Sequence, residues 1–316
     1  MKTIKLMAIL CILSLTVMHT AARASGLRDS VKNYYQFKNK AEMAIVAGNY
    51  KEAASLYSTA FSYKKSNPRD AYNAFVVYFI TGDSIDCKNC FDNLLQLGFP
   101  KAKLEWMPFI DSIKNQRVYR RFIAADSQKY YNRYLQSGKP HYSQVLDSLY
   151  TADQAYRERK GSDHIDYDSL NAAYIISLSR QTLIPSIINV GFDKHFGMRP
   201  DREGTLFLLY WHWRGEKSPL DSLMKNAVLD GSFDPADYAF QRDYSQKTMS
   251  YYQVLKGKLP DLDKNTINAI NRKRAEIYLV PLEEYSQKMK FSIQNKTFAF
   301  FNQMLQVVCR QNGVTE

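Results

Sequence analysis

Two cysteines separated by two residues, Cys87-x-x-Cys90, lie at the start of a predicted helix. Thiols at this spacing can form a redox couple, because the dipole at a helix N-terminus lowers the pKa of the first thiol. Cys87, however, takes the small packing position that Ala53 has in an earlier and similar stretch. No second Cys or His pair follows at the spacing of a zinc site. We therefore interpret the pair as core packing, with thiol redox or metal chemistry as the alternative.

Acidic and basic side chains in the second half of the chain have types that support acid–base chemistry. Asp153 and Arg157 are four residues apart on one face of a predicted helix, where an exposed ion pair contributes only about 0.3 kcal/mol. His212 lies between two tryptophans, and a lone His among apolar residues is more often a hydrogen-bonded core residue than a catalyst. The groups Arg242-Asp243 and Arg272-Lys273-Arg274 either bind anions or are solvated helix faces. No P-loop, Gly-x-Ser-x-Gly, His-Glu-x-x-His or dinucleotide-binding motif occurs, so the sequence predicts no cofactor and no metal site.

The elements that position these residues begin with two similar stretches, whose turn glycines Gly48 and Gly82 are 34 residues apart. Residues 27–64 predict two helices joined at Gly48, and residues 70–97 repeat the pattern around Gly82. The second helix of the first stretch carries a stripe at helical spacing, formed by Tyr50, Ala53, Tyr57 and Ala60. Period and pattern resemble tetratricopeptide repeats over about residues 30–100. The resemblance implies stacked helical hairpins that recognise a peptide or protein. Because such stacks usually need about three units, a further segment must complete this one.

A basic segment follows the second hairpin. Residues 101–141 carry a net charge of +6, and within them residues 104–122 resemble the irregular helical cap that often closes such repeats in bacterial proteins. Stacked hairpins form an extended groove, and Tyr, Trp and Arg side chains supply much of the binding energy at protein interfaces. The residues predicted to bind the partner are Trp106, Arg117, Arg120, Arg121, Tyr130 and Tyr134.

Polar, Gly and Pro residues at 136–140 predict a domain boundary. It separates the repeats and cap, residues 25–138, from a second helical domain, residues 139–316. Two helix starts in the second domain are marked by a capping residue before proline, Ser218-Pro219 and Asp234-Pro235.

The remaining elements of the second domain are also predicted to be helical. Helices are predicted near 142–159, 168–182, 263–277 and 281–290. The stretch 202–214 is apolar nearly all round and predicts a buried central helix, and residues 296–310 predict a last helix. Only residues 250–256 have the pattern of a short strand. The predicted fold class is all-α, a short tetratricopeptide-like hairpin stack followed by a compact helical domain.

Residues from about 143 to 285 resemble a helical bacterial domain family of unknown function. The matching positions are Asp153-Gln154-x-x-Arg157, Asn171, Pro185 to Gly191, His212, Arg242-Asp243 and Asn271-x-x-Arg274. A Gln usually precedes the family histidine, whereas this chain has Trp211. In a hydrolase or transferase His212 would be the general acid or base. Asp153 or Asp243 would be the carboxylate that orients His212. Arg157 or Arg274 would bind an anionic group of the substrate.

The N-terminus has the features of a signal peptide. Lys2 and Lys5 form a positively charged start that is followed by an apolar run. Ala22-Arg23-Ala24 matches the pattern of small residues at a signal-peptide cleavage site. The sequence therefore predicts that residues 1–24 are a signal peptide, cleaved near Ala24. The run is too short for a comfortable membrane span and no second one follows, so we expect a periplasmic or secreted protein rather than an integral membrane protein. Cleavage removes three positive charges and no acid from the net charge of +12, leaving +9. In an exported protein this basic balance does not favour a nucleic acid partner.

These observations predict an exported tetratricopeptide-repeat protein that binds a protein or peptide partner in the cell envelope. The alternative is a hydrolase or transferase with its pocket in residues 139–316. Convergence of Asp153, Arg157, His212 and Asp243 in one solvent-reached pocket would favour the enzyme. Burial of His212 among Trp and Leu side chains would favour the binding protein.

Overall fold

The computed structural model describes residues 26–158, 167–181, 184–190, 219–245, 251 and 262–300. Across these ranges the chain consists of helices joined by turns and short loops, and they contain no strand. The all-α fold class is therefore confirmed. No helix in the same ranges has both the length and the apolarity needed to cross a membrane.

Fourteen α-helices and one π-helical turn make up the described part of the chain. Helix α1 covers residues 26–46. The others are α2 (Tyr50–Tyr63), α3 (Pro68–Thr81), α4 (Ser84–Gln96), α5 (Lys101–Leu104), α6 (Pro108–Ile113), the π turn (Tyr119–Ile123), α7 (Gln128–Leu135), α8 (Lys139–Glu158), α9 (Tyr167–Gln181), α10 (Ile187–Val190), α11 (Pro219–Leu229), α12 (Pro235–Ser245), α13 (Lys264–Glu276) and α14 (Leu282–Gln294).

The two predicted hairpin turns form at the expected glycines. Gly48 and Gly82 have φ angles of 77° and 81°, a left-handed conformation that glycine adopts without the clash of a Cβ atom. Each glycine separates the two helices of a hairpin, α1 from α2 and α3 from α4. Helix α3 contacts α2 and α4, so the hairpins are stacked side by side. The stripes that pack between them are buried, namely Ala53, Tyr57 and Ala60 on α2 and Cys87, Phe91 and Leu94 on α4.

The basic cap supplies the next layer of the stack, because α4 contacts both the π turn and α7. The Tyr119 ring of the π turn packs edge-on against Phe91 of α4, with ring centroids 5.6 Å apart. Lys88 of α4 donates hydrogen bonds to the backbone carbonyls of Ile123 and Ala125 at 3.4 and 3.2 Å. These contacts fix the cap on the second hairpin.

Helices α8 to α12 build a second core around Ile175, Val228, Tyr238 and Ala239. Helix α12 begins at Pro235, as its proline-marked start predicts, and α11 is described from Pro219 onward. The predicted central helix at 202–214 lies outside the described residues, and of the predicted strand at 250–256 only Tyr251 is described.

The structure describes residues 296–300 of the helix that was predicted at 296–310, and over these residues the prediction is wrong. Residues 295–300 are not helical. Asn295 has an extended backbone, and its side-chain oxygen accepts a hydrogen bond from the Thr297 amide at 2.8 Å, which stabilises the exit from the helix. Phe298, Ala299 and Phe300 then enter the core of the first hairpins. The hairpin core thus includes side chains from both predicted domains.

Candidate functional site

An open cleft of about 680 Å³ lies between the first hairpin and residues 279–284. This volume is within the range of roughly 300–1,000 Å³ that is usual for ligand sites. Polar side chains of both charge signs line it, including Gln36, Lys40, Asn49, Glu52 and Glu284. Its apolar lining includes Met43, Leu56, Val280 and Pro281. The residues of α1 lie on one face of that helix, because they are spaced three and four apart.

A buried ion pair holds the two walls of the cleft together. The Lys288 ammonium of α14 lies 2.5 Å from a carboxylate oxygen of Glu42 on α1, and Lys38 lies 2.9 Å from the other oxygen. The Asn39 side chain also donates a hydrogen bond to the Tyr278 carbonyl at 3.0 Å. Since these partners belong to α1 and to residues 278–288, the contacts connect the two walls of the cleft.

The ion pair is part of a larger buried cluster that connects four helices. On α3, Asp70 accepts a 2.5 Å hydrogen bond from the Tyr34 hydroxyl and lies 3.8 Å from Lys38. Arg69 lies 2.9 Å from Asp234, which precedes α12 and accepts a hydrogen bond from the Ala236 amide. A small cavity of about 30 Å³ adjoins the cluster, enough space for about one water molecule.

Electrostatics within the cluster follow from burial and opposite charge. Burial opposes the ionisation of Glu42, but the attraction of Lys288, Lys38 and Arg69 is stronger and lowers its pKa to about 2. For Asp70 burial is the stronger effect, and it raises the pKa above the ordinary value although Lys38 and Arg69 oppose it. Glu42 is therefore a fixed negative charge at neutral pH.

The residues predicted for catalysis form two groups where they are described. Asp153 is buried and accepts hydrogen bonds from the Arg157 Nε and Nη2 atoms, both at 3.0 Å. Arg157 also pairs with Asp168, so this group links α8 to α9. The hydrogen bond that Arg157 donates to the Asp153 carboxylate is the main cause that raises the pKa of Arg157. His212 lies outside the described residues, so the convergence of the predicted catalytic set in one pocket stays a prediction.

Asp243 and Arg274 meet at the backbone of Tyr251. Asp243 accepts hydrogen bonds from the Tyr251 amide at 3.0 and 3.2 Å, and Arg274 donates to the Tyr251 carbonyl at 2.5 Å. Arg274 also donates to the Val280 carbonyl at 2.6 Å and lies over the Tyr285 ring. Burial lowers the pKa of Arg274 to about 10, so it stays charged at neutral pH. Both side chains therefore fix the backbone around Tyr251 and Val280.

The cap residues that were predicted to bind a partner differ in their exposure to solvent. The side chains of Arg117, Arg120 and Arg121 are exposed, and Val118 and Phe122 beside them are about 40% exposed. Lysine or arginine side chains cover the rings of Trp106 and Tyr130, with Lys103 3.9 Å and Arg133 5.2 Å from the ring centroids. Tyr134 does not belong to this surface: its ring is buried against Gly98, which has no side chain to exclude it.

Cys87 and Cys90 are buried free thiols. The Cys87 thiol lies 3.6 Å from the Phe75 carbonyl, to which it donates. Burial raises the pKa of both thiols, with smaller contributions from nearby acids, so neither forms a thiolate at neutral pH. This environment supports the interpretation as core packing.

Several residues of the site were not predicted from the sequence. They are Glu42, Asp70, Asp234 and Lys288, all buried although their types are mostly exposed in proteins. One local signal existed: Arg69 and Asp70 directly precede the stretch 71–80 of α3, in which Asn73 interrupts aliphatic and aromatic residues, and this helix is buried along most of its length.

Comparison of the chain with models of protein families, with curated proteins and with solved structures finds no match.

Proposed function

We propose that the protein is an exported tetratricopeptide-like protein that binds a peptide or protein partner of the cell envelope in the cleft beside its first hairpin. The observation that carries the proposal is the open 680 Å³ space between that hairpin and residues 279–284. A partner peptide would contact the hairpin and the second half of the chain together. The predicted signal peptide supports the export, and the 34-residue spacing of the turn glycines supports the repeat assignment.

The lining of the cleft favours an extended peptide of low net charge. The amides of Gln36 and Asn49 offer both donors and acceptors, which the main chain of an extended peptide needs. Met43 is a flexible apolar side chain that adapts to different partners. Lys40 and Glu284 carry opposite charges across the cleft, so a strongly acidic or basic peptide would meet repulsion from one wall.

The exposed arginines of the cap offer a second, separate contact surface. Arg117, Arg120 and Arg121 lie beside exposed Val118 and Phe122, a combination of charge and apolar area that is common at protein interfaces. We assign this surface a supporting role, because none of its three arginines lines the cleft.

Site-specific photocrosslinking in envelope extract tests the proposal. A photoreactive amino acid replaces Lys40 or Glu284 on opposite walls of the cleft, Arg120 on the cap, or exposed Gln144 on α8 as the control. We expect Lys40 and Glu284 to crosslink to one extended stretch of the same partner, identified by mass spectrometry, and Gln144 to give no such product. Crosslinks at Arg120 without any at Lys40 and Glu284 would move the binding site to the cap and refute the assignment to the cleft.

A further inference from the structure

Residues 295–300, which we name the post-α14 segment, lie against α3 as a peptide lies in a binding groove. The Tyr72 hydroxyl donates a hydrogen bond to the Thr297 carbonyl at 3.0 Å. The Asn73 amide nitrogen donates to the Ala299 carbonyl at 2.9 Å, and its oxygen accepts from the Ala299 amide at 2.8 Å. These contacts bridge 225 or more positions of sequence. The segment is therefore held on α3 by its main chain.

The paired hydrogen bonds of Asn73 have the pattern of a strand partner. In an antiparallel sheet a residue exchanges both its N–H and its C=O with the residue opposite. An asparagine amide presents one donor and one acceptor side by side, and Asn73 uses them in the same way on Ala299. Asn73 is fully buried, so its orientation is fixed by packing. Recognition of this kind does not depend on the side chain of the residue that is bound, provided that its backbone is extended.

Side-chain contacts on either side of Ala299 add specificity. The Phe298 ring stacks on Tyr50 of α2 with centroids 6.0 Å apart, and Phe300 stacks on Phe291 at 5.6 Å. Ala299 itself is 1% exposed in this packing, which favours a small residue at the central position. The bound pattern is thus aromatic–small–aromatic.

We infer that Tyr50, Tyr72 and Asn73 form a second peptide-binding site, the Asn73 site, which recognises an extended aromatic–alanine–aromatic peptide and which the chain's own post-α14 segment occupies. The site is distinct from the cleft, because none of its three residues lines the cleft. A peptide from another chain competes with a segment that is tethered to the protein and has a high effective concentration. Binding in trans therefore requires that the post-α14 segment be released or weakened.

A full-length Phe298→Ala variant tests this inference, because it weakens the tethered segment and leaves the Asn73 site unchanged. The probe is a fluorescent eight-residue peptide with the sequence of residues 295–302, titrated by anisotropy. We expect at least a tenfold higher affinity for the variant than for the wild-type chain. The control peptide carries proline at the position of Ala299 and cannot donate to Asn73, so its affinity should be at least tenfold lower. Adding Asn73→Ala to the variant should reduce the affinity for the unmodified peptide by a similar factor.

No binding of the peptide to a folded Phe298→Ala chain would overturn the inference, as would binding that neither the proline peptide nor Asn73→Ala weakens. If Phe298→Ala does not fold, the milder Phe300→Leu chain replaces it in the same titration.

Hydrogen exchange of the backbone amides of the wild-type chain tests the inference without any variant. Exchange of residues 295–300 by local opening, faster than that of α3, supports the inference. Exchange only through global unfolding contradicts it. A failed test here leaves the cleft proposal intact, because the crosslinking at Lys40 and Glu284 does not involve these residues.

Discussion

The buried contact between Glu42 and Lys288 gives the sharpest stability prediction. Glu42→Gln keeps the size of the side chain but removes the charge that Lys288 and Lys38 share. Lys288 and Glu42 side chains are only 4% and 1% exposed, so water cannot replace the lost partner. Removing one member of a buried ion pair costs about 3–5 kcal/mol, and we expect a loss of unfolding free energy in this range at pH 7.

The acid dependence of stability tests the same contact. Burial lowers the pKa of Lys288 to about 8, which offsets part of the contribution of the pair at pH 7. Folding lowers the pKa of the Glu42 carboxyl from its ordinary 4.5 to about 2, so its ionised form stabilises the folded chain. Because the folded pKa is the lower one, this contribution is complete above pH 4.5 and is lost as the pH falls through about 2. The Glu42→Gln chain should therefore lose less stability than wild type between pH 5 and pH 2.

Urea denaturation followed by circular dichroism at pH 7 and pH 3 measures both effects. Glu52→Gln is the matched control, since Glu52 is exposed, and its unfolding free energy should stay within about 0.5 kcal/mol of wild type. The double replacement Glu42→Leu with Lys288→Met removes both charges of the pair and should recover part of the loss, because Lys38 then has only the Asp70 carboxylate at 3.8 Å as its acidic neighbour among the described residues. A Glu42→Gln chain as stable as wild type at pH 7, with the same loss of stability in acid, would refute the reasoning.

Three further predictions concern the hairpins and the cap. Gly82→Ala places a Cβ at a φ of 81° and should cost about 1–2 kcal/mol in urea denaturation, whereas Gly138→Ala, at a glycine without positive φ, should be nearly neutral. An equal effect of the two would contradict the turn assignment. Cys87 and Cys90 should not react with a thiol reagent within minutes in the native protein, because both thiols are buried. Both should react after denaturation. Fast labelling of the native protein would favour the redox alternative. The third prediction concerns charge reversal of the exposed cap arginines by Arg117→Glu, Arg120→Glu and Arg121→Glu. These replacements should change the unfolding free energy by less than about 1 kcal/mol. A larger loss would show that the arginines stabilise the fold.

Local chemistry made part of the fold predictable from the sequence. The left-handed turns at Gly48 and Gly82 depend on glycine alone, and the start of α12 depends on Asp234 before Pro235, which accepts a hydrogen bond from the Ala236 amide. The burial of Cys87 followed from its alignment with Ala53. In each case the signal lies within a few residues of the feature.

The site was less predictable, because its contacts join residues that are far apart in the chain. Glu42 and Lys288 are separated by 246 positions, and nothing local to either distinguishes it from an exposed charge. Asn73 and Ala299 are likewise far apart, at a separation of 226 positions. The helix predicted at 296–310 was wrong over residues 296–300, since apolar content alone does not separate a helix from a non-helical segment that is held by a distant side chain. The prediction that Tyr134 lies on the binding surface was wrong. Its ring is buried against Gly98, which is far from it in the sequence, and the sequence around Tyr134 does not show this contact.

The most direct test of the proposed function is an isothermal titration with a synthetic peptide of the stretch that crosslinks at Lys40 and Glu284. The titration compares wild type with Met43→Arg, which fills the cleft, and with Gln144→Arg, which adds the same charge on exposed α8. We predict saturable one-to-one binding to wild type and to Gln144→Arg, and at least tenfold weaker binding to Met43→Arg. Equal affinity for all three chains would contradict binding in the cleft.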